Sequence, residues 1–179
     1  MPRKNPRGVA SKETQPDNQQ ERLDIASWIC GFVDGEGCFC VSFIKNKTTS
    51  TGWQIFPEFV VTQGMKSEAS LTMIQSYFDC GKIYRNKRYD NHKEDLLRYC
   101  VRSQKDLLTT IIPFFKQYVL QTSKKNDFRK FEGILKLMST GIHKTEEGMI
   151  KIALIVQTMN RKVPSRFLES SETTRQTPI

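Results

Sequence analysis

No run of apolar residues in this 179-residue chain approaches the roughly 18 that a membrane-spanning helix needs, so no transmembrane segment and no membrane partner are expected. The opening stretch, MPRKNPRGVASKETQPDNQQ, has no apolar centre, which argues against a secretion signal. It is polar and proline-bearing, so residues 1–20 read as a disordered basic arm whose charge serves either solubility or DNA contact. Histidine is scarce. His92 and His143 are the only two, each in a polar, turn-like context that reads as solvated, and neither a histidine-centred nuclease nor a Ser-His-Asp arrangement can be assembled. There is no glycine-rich phosphate loop, and no small-molecule cofactor is expected. The five cysteines are odd in number and include no C-x-x-C pair. Cys38 and Cys40, two apart on a predicted strand, share a face without the further ligands that a zinc site needs. Free thiols are expected, and with them a reducing intracellular compartment such as a bacterial cytoplasm or an organelle matrix.

Acids are also in deficit. Lys and Arg number 28 against 19 Asp and Glu, a formal charge of +9 that points to a polyanionic partner, nucleic acid ahead of a membrane surface. The length suits one compact domain, expected over residues 21–161, with 162–179 as a mobile polar tail.

Helical spacing runs from Arg22 to Gly35 through Ile25, Trp28, Ile29, Phe32 and Val33. Strand alternation follows in Phe39, Val41 and Phe43, then, after KNKTTSTG, in Ile55, Pro57, Phe59 and Val61. Ser67-Glu68 reads as a helix start, with Leu71, Ile74 and Phe78 as its stripe. A second hairpin is expected from KIYRNKR and LLRYCVRS, and Ser103 to Asp106 has capping-box spacing before a helix over Leu107 to Phe115. Two more helices fit Lys124 to Ser139 and Thr145 to Asn160. Strands in adjacent hairpins make an antiparallel sheet, so the fold class is α+β.

The stretch WICGFVDGEGCFCVSF, Trp28 to Phe43, sets two acids among three glycines where the period changes from helix to strand. Ser27, Gly31 and Gly35 at i, i+4, i+8 form one narrow stripe, which admits close approach of another backbone. Bulky residues flank the stripe, so this helix is expected to be buried all round. Asp34 and Glu36 lie at the negative end of the helix dipole and call for a positive partner, for which a divalent metal is a candidate. The same residues also fit a glycine-rich helix end with two solvated acids.

CGFVDGEGCF is similar to the signature of the LAGLIDADG homing endonuclease family, with Gly31, Phe32, Val33, Asp34, Gly35, Glu36 and Gly37 in register. FVVTQ (Phe59 to Gln63), GKIYRN (Gly81 to Asn86) and IIPFFKQYVLQTSKKNDF (Ile111 to Phe128) resemble further family segments, so the likeness spans about Ile25 to Met138. It implies an αββαββα core with an antiparallel DNA-binding sheet, here followed by extra C-terminal helices. The implied activity is a metal-dependent double-strand break in a long pseudo-palindromic DNA target, promoting mobility of a host intron. The alternatives are an RNA maturase assisting splicing, a non-cleaving DNA-binding relative, or a generic basic binding module. With one motif copy and no internal repeat, the resemblance implies a homodimer in which Ser27, Gly31 and Gly35 meet their symmetry mates.

The resemblance makes Glu36 the metal ligand, with the Gly35 carbonyl as an extra ligand and Asp34 in a structural role. It implies magnesium, with manganese as a substitute and calcium supporting binding without cleavage. Gln63 corresponds to a position that orients the nucleophilic water, and Lys124 to a cation near the scissile phosphate, with Lys125 or Lys66 as alternatives. On the sheet, one parity (Phe39, Val41, Phe43, Ile55, Phe59, Val61, Ile83, Val101) is apolar. The other gives Ser42, Asn46, Gln54, Glu58, Lys82, Tyr84, Asn86, Arg88, Arg98 and Arg102, groups able to hydrogen-bond base edges in a major groove.

Overall fold

The computed structural model describes residues 18–87, 94–160 and 167–168; Arg88, His92 and most of the two terminal stretches lie outside them. Helix α1 (Asn18–Glu36) passes without a break into β1 (Gly37–Lys45), which turns into β2 (Trp53–Gly64). After a 3₁₀ turn come α2 (Glu68–Phe78), β3 (Lys82–Asn86) and β4 (Leu96–Val101). Then follow α3 (Gln104–Asp106), a π-helical segment (Leu107–Ile111), α4 (Ile112–Gln117), α5 (Lys124–Ser139) and α6 (Glu146–Val156). The order is the expected αββαββα with helices added behind it.

The two hairpins join through their second strands, giving one antiparallel sheet in the order β1-β2-β4-β3. Register sets Phe39 opposite Phe59 and Phe59 opposite Val101, so the apolar parity of three strands falls on one face. Phe39, Val41, Ile55, Phe59, Val61, Tyr99 and Val101 are buried there, while Phe43 and Ile83, nearer the ends, are half-buried. Phe39 is the hub of this layer. Its ring lies 5.2–5.5 Å from those of Phe59, Phe115, Phe128 and Phe131, stacked on the first, edge-on to the second and tilted against the other two.

Local chemistry explains the helix boundaries. Ser103 accepts from the Asp106 amide at 3.3 Å and Thr145 from the Gly148 amide at 3.1 Å, both true N-caps. Ser67 makes no such bond, and α2 begins instead from the preceding 3₁₀ turn. The helix expected over Leu107 to Phe115 is interrupted by π geometry at Leu107–Ile111. Pro113 accounts for it: proline has no N–H to offer the carbonyl one turn back, and a wider turn relieves its ring. Gly148 is required where α6 meets the turn before it, since a Cβ there would stand 1.9 Å from the Ile142 carbonyl oxygen.

Helix α1 differs from expectation. Ala26, Ile29 and Val33 are fully buried against the core, but Ser27, Gly31 and Gly35 are exposed and Trp28, stacked on Phe32 at 4.8 Å, is 38% exposed. Among the described residues the helix is buried on one side only, because no other described element covers the small-residue stripe. At the far end, Phe167 is buried against Phe43 and Trp53, so packed structure reaches beyond the boundary expected at 161.

Candidate active site and nucleic-acid face

The two acids of the α1–β1 junction have different fates. Asp34 turns towards the loop before α5, where its carboxylate accepts from the Gln121 amide (2.7 Å), the Thr122 amide (3.1 Å) and the Thr122 hydroxyl (2.5 Å). Partial burial opposes its ionisation. The Thr122 hydroxyl, the two amides and the nearby Lys124 charge outweigh that and hold the carboxyl below the usual aspartate range. Glu36 is exposed, and no hydrogen bond or ion pair engages it among the described residues.

The positive group that the helix end calls for is in the chain itself. Lys124, the first residue of α5, donates from Nζ to the Val33 carbonyl at 2.8 Å and the Gly35 carbonyl at 3.1 Å. These are orphan carbonyls of the last turn of α1, and an ammonium there satisfies them and the dipole together. Burial lowers the Lys124 pKa, and the surrounding Cys38, Asp34 and Glu36 oppose that without cancelling it. Of the three lysines considered, Lys124 alone reaches this helix end: Lys66 is exposed, its backbone amide held by the Glu94 carboxylate at 2.6 Å, and Lys125 bonds locally through its amide to the Thr122 carbonyl. Gln63 is half-buried near the end of β2. Since Gly37 pairs with Val61, Gln63 flanks the same end of the sheet as Glu36. Among the described residues no three His, Cys, Asp or Glu side chains converge as a metal cage.

The open face of the sheet carries the predicted polar parity. Ser42, Gln54, Lys82, Tyr84 and Asn86 are exposed, and Asn46 is tied across the β1–β2 turn to Gln54 at 3.0 Å. Arg98 and Arg102 both bond Glu58, the latter at 2.6 Å. Glu58 is therefore 6% exposed beneath the two guanidiniums rather than offered to a ligand, which its strand parity alone could not reveal. Cys38 and Cys40 share this face as free thiols with sulfurs 2.8 Å apart. His143 is only half-buried, but its Nδ1 is shielded and unpartnered, contrary to a solvated ring.

This chain thus carries an antiparallel sheet with one apolar and one polar, arginine-bearing face, entered directly from a helix that ends in an unengaged carboxylate. The chain belongs to the LAGLIDADG endonuclease family, whose model matches residues 29–135. It is 35% identical over 128 residues to a probable intron-encoded endonuclease of Neurospora crassa, a match covering 70% of this chain but only 27% of that protein. The homing endonuclease I-TnaI superposes with a TM-score of 0.74 at 36% identity, over 83% of this chain and 96% of that one. I-SmaMI bound to cleaved DNA superposes with a TM-score of 0.75 at 29% identity, over 86% of this chain and 49% of that one. No helix among the described residues is long and apolar enough to cross a membrane.

Proposed function

We propose that this protein is a divalent-metal-dependent DNA endonuclease that acts as a homodimer, makes a double-strand break in a long pseudo-palindromic target and so promotes mobility of its host intron. The observation that carries this reading is the division of labour at the helix end: Asp34 is consumed by the fold, whereas Glu36 is left unengaged beside a lysine. A purely structural motif has no use for the second acid. Family membership and the intron-encoded relative support the reaction and its biological setting. An organelle matrix is the setting that fits such a role.

The residues present suit a hard cation. Glu36 offers a free carboxylate, and the Gly35 carbonyl, having two lone pairs, can keep one for an ion while the other accepts from Lys124. Magnesium takes few protein oxygens and retains water, so Glu36 and the Gly35 carbonyl would be enough of this chain to hold it. Bound there, the ion supplies charge stabilisation and an acidified water. The chain's own part would be to orient an attacking water through the Gln63 amide, which does not titrate, and to hold the Lys124 ammonium near the developing phosphate charge. Ser42, Asn46, Gln54, Lys82, Tyr84, Asn86, Arg88, Arg98 and Arg102 supply base and phosphate contacts in the major groove.

Two subunits are needed because one chain has one carboxylate site and two strands are cut. Ser27, Gly31 and Gly35 are exposed within the subunit, and the chain spans half of I-SmaMI but nearly all of I-TnaI. The test is Glu36→Gln, read in parallel by plasmid cleavage in magnesium and by gel shift in calcium. Cleavage is lost and specific binding retained if the reading holds. Cleavage at the wild-type rate overturns it, and wild-type protein that binds sequence-specifically but never cuts favours a DNA-binding relative instead.

A further inference from the structure

Glu58 is the one charged residue buried among the described residues, yet it lies on the face that should meet DNA. A buried carboxylate must be paired, and this one holds two partners: Oε1 accepts from Arg98 Nη2 and Oε2 from Arg102 Nε at 2.6 Å. Arg102 is fixed further by ring contacts, its guanidinium carbon 4.9 Å from the Tyr84 centroid and 5.5 Å from that of Phe56. Such stacking defines the plane of a guanidinium, and the Nε bond defines its rotation within that plane. With Nε engaged, the two terminal nitrogens of Arg102 carry the remaining donors, Nη2 also reaching the Cys100 sulfur in a long contact at 4.0 Å that leaves its second N–H, beside those of Nη1, for a ligand. Arg98 is likewise anchored by one nitrogen and one-third exposed on its remaining side.

A carboxylate on a DNA-binding face repels phosphates, so its presence cannot be explained by affinity. It can be explained by order. Arginine loses much rotamer freedom when it binds, and a side chain fixed beforehand does not incur that loss on association. Building on the DNA-binding reading above, we propose that Glu58 is a specificity-determining positioning residue, which pre-sets Arg98 and Arg102 as forks for the O6 and N7 acceptors of guanine in each half-site. Its effects on affinity and on discrimination therefore have opposite signs.

The experiment uses the full chain in calcium and the duplex it selects from a randomised DNA pool, with each base pair of that duplex then replaced in turn. Glu58→Gln should bind random duplex at least as tightly as wild type, having lost a negative charge. It should also lose about tenfold in discrimination at the guanines where Arg98→Met and Arg102→Met lose theirs, and nowhere else. Adding Glu58→Gln to Arg102→Met should cause no further loss at the guanine read by Arg102. Should Glu58→Gln fold poorly, Glu58→Asp keeps the charge but shortens the reach, and loses discrimination at the same guanines without a gain on random duplex. Unchanged positional preferences in these variants, or a loss spread evenly over the site, overturn the proposal while leaving the nuclease reading intact. A wild-type chain that selects no sequence overturns both.

Discussion

Replacing Asp34 by asparagine removes the charge that ties α1 to the loop before α5 while keeping the size of the side chain. The carboxylate takes up two backbone amides and a hydroxyl. Hydrogen bonds to a charged group contribute about 1.5–3 kcal/mol apiece when dry, but these lie near the surface, where water replaces much of what is lost. The carboxylate also sits at the unfavourable end of the α1 dipole, which offsets roughly 0.3–1 kcal/mol. A net loss of about 1–2 kcal/mol is expected, or roughly 3–6 °C in Tm for a domain of this size. The sign of the pH effect follows from a depressed folded-state pKa. The Asp34 contribution is complete above the unfolded value of about 3.9 and is lost as pH falls through the lower folded value. Thermal melts in chelator should therefore show a wild-type advantage at pH 7 that narrows between about pH 5 and 3. Cleavage should fall too, since the same loop delivers Lys124, but by less than in Glu36→Gln. Equal melting at pH 7, or a gap that stays constant or widens in acid, refutes this account of Asp34.

Gly31→Leu should abolish dimerisation without harming the subunit, because a Cβ at Gly31 meets nothing within 4 Å and leucine is the better helix former. Sedimentation should give a monomer with an unchanged or raised Tm and no double-strand cleavage; a stable dimer would mean that subunits meet elsewhere. Gly148→Ala should be among the most destabilising single-methyl additions to the chain, since its Cβ would overlap the Ile142 carbonyl. A Tm within a degree or so of wild type would show that the turn before α6 can shift at little cost.

The fold was legible because its elements are locally consistent. Alternation in β1, β2 and β4, the cap at Ser103 and the stripe of α5 each dictate what the chain does over a few residues. What the sequence hid was mostly long-range. The partners of Asp34 and the cation at the end of α1 lie some 90 positions away, and no periodicity links Asp34 to Thr122 or Gly35 to Lys124. The resemblance names Lys124 but not its task at the helix terminus, where its ammonium meets the Val33 and Gly35 carbonyls and leaves the Glu36 carboxylate open. Glu58 was misleading for a related reason. Parity assigns a residue to a face, but whether it meets solvent depends on what lies above it, here Arg98 of β4 and Arg102 just past its end. The π segment was missed because a single proline in an apolar run reads equally as a helix end or a kink.

The clasp between α1 and the start of α5 has a bearing on how the protein is made. The helix carrying the motif is translated ahead of the groups that complete its last turn, Gln121, Thr122 and Lys124, which follow only after both hairpins. A product cut short before Gln121 contains the full signature and all four strands, yet lacks the Lys124 ammonium at the Val33 and Gly35 carbonyls and the amides and hydroxyl that hold Asp34. The signature is thus completed only once the start of α5 has been made, and a chain shorter than that carries Asp34 and Glu36 without the groups that hold the first of them in place.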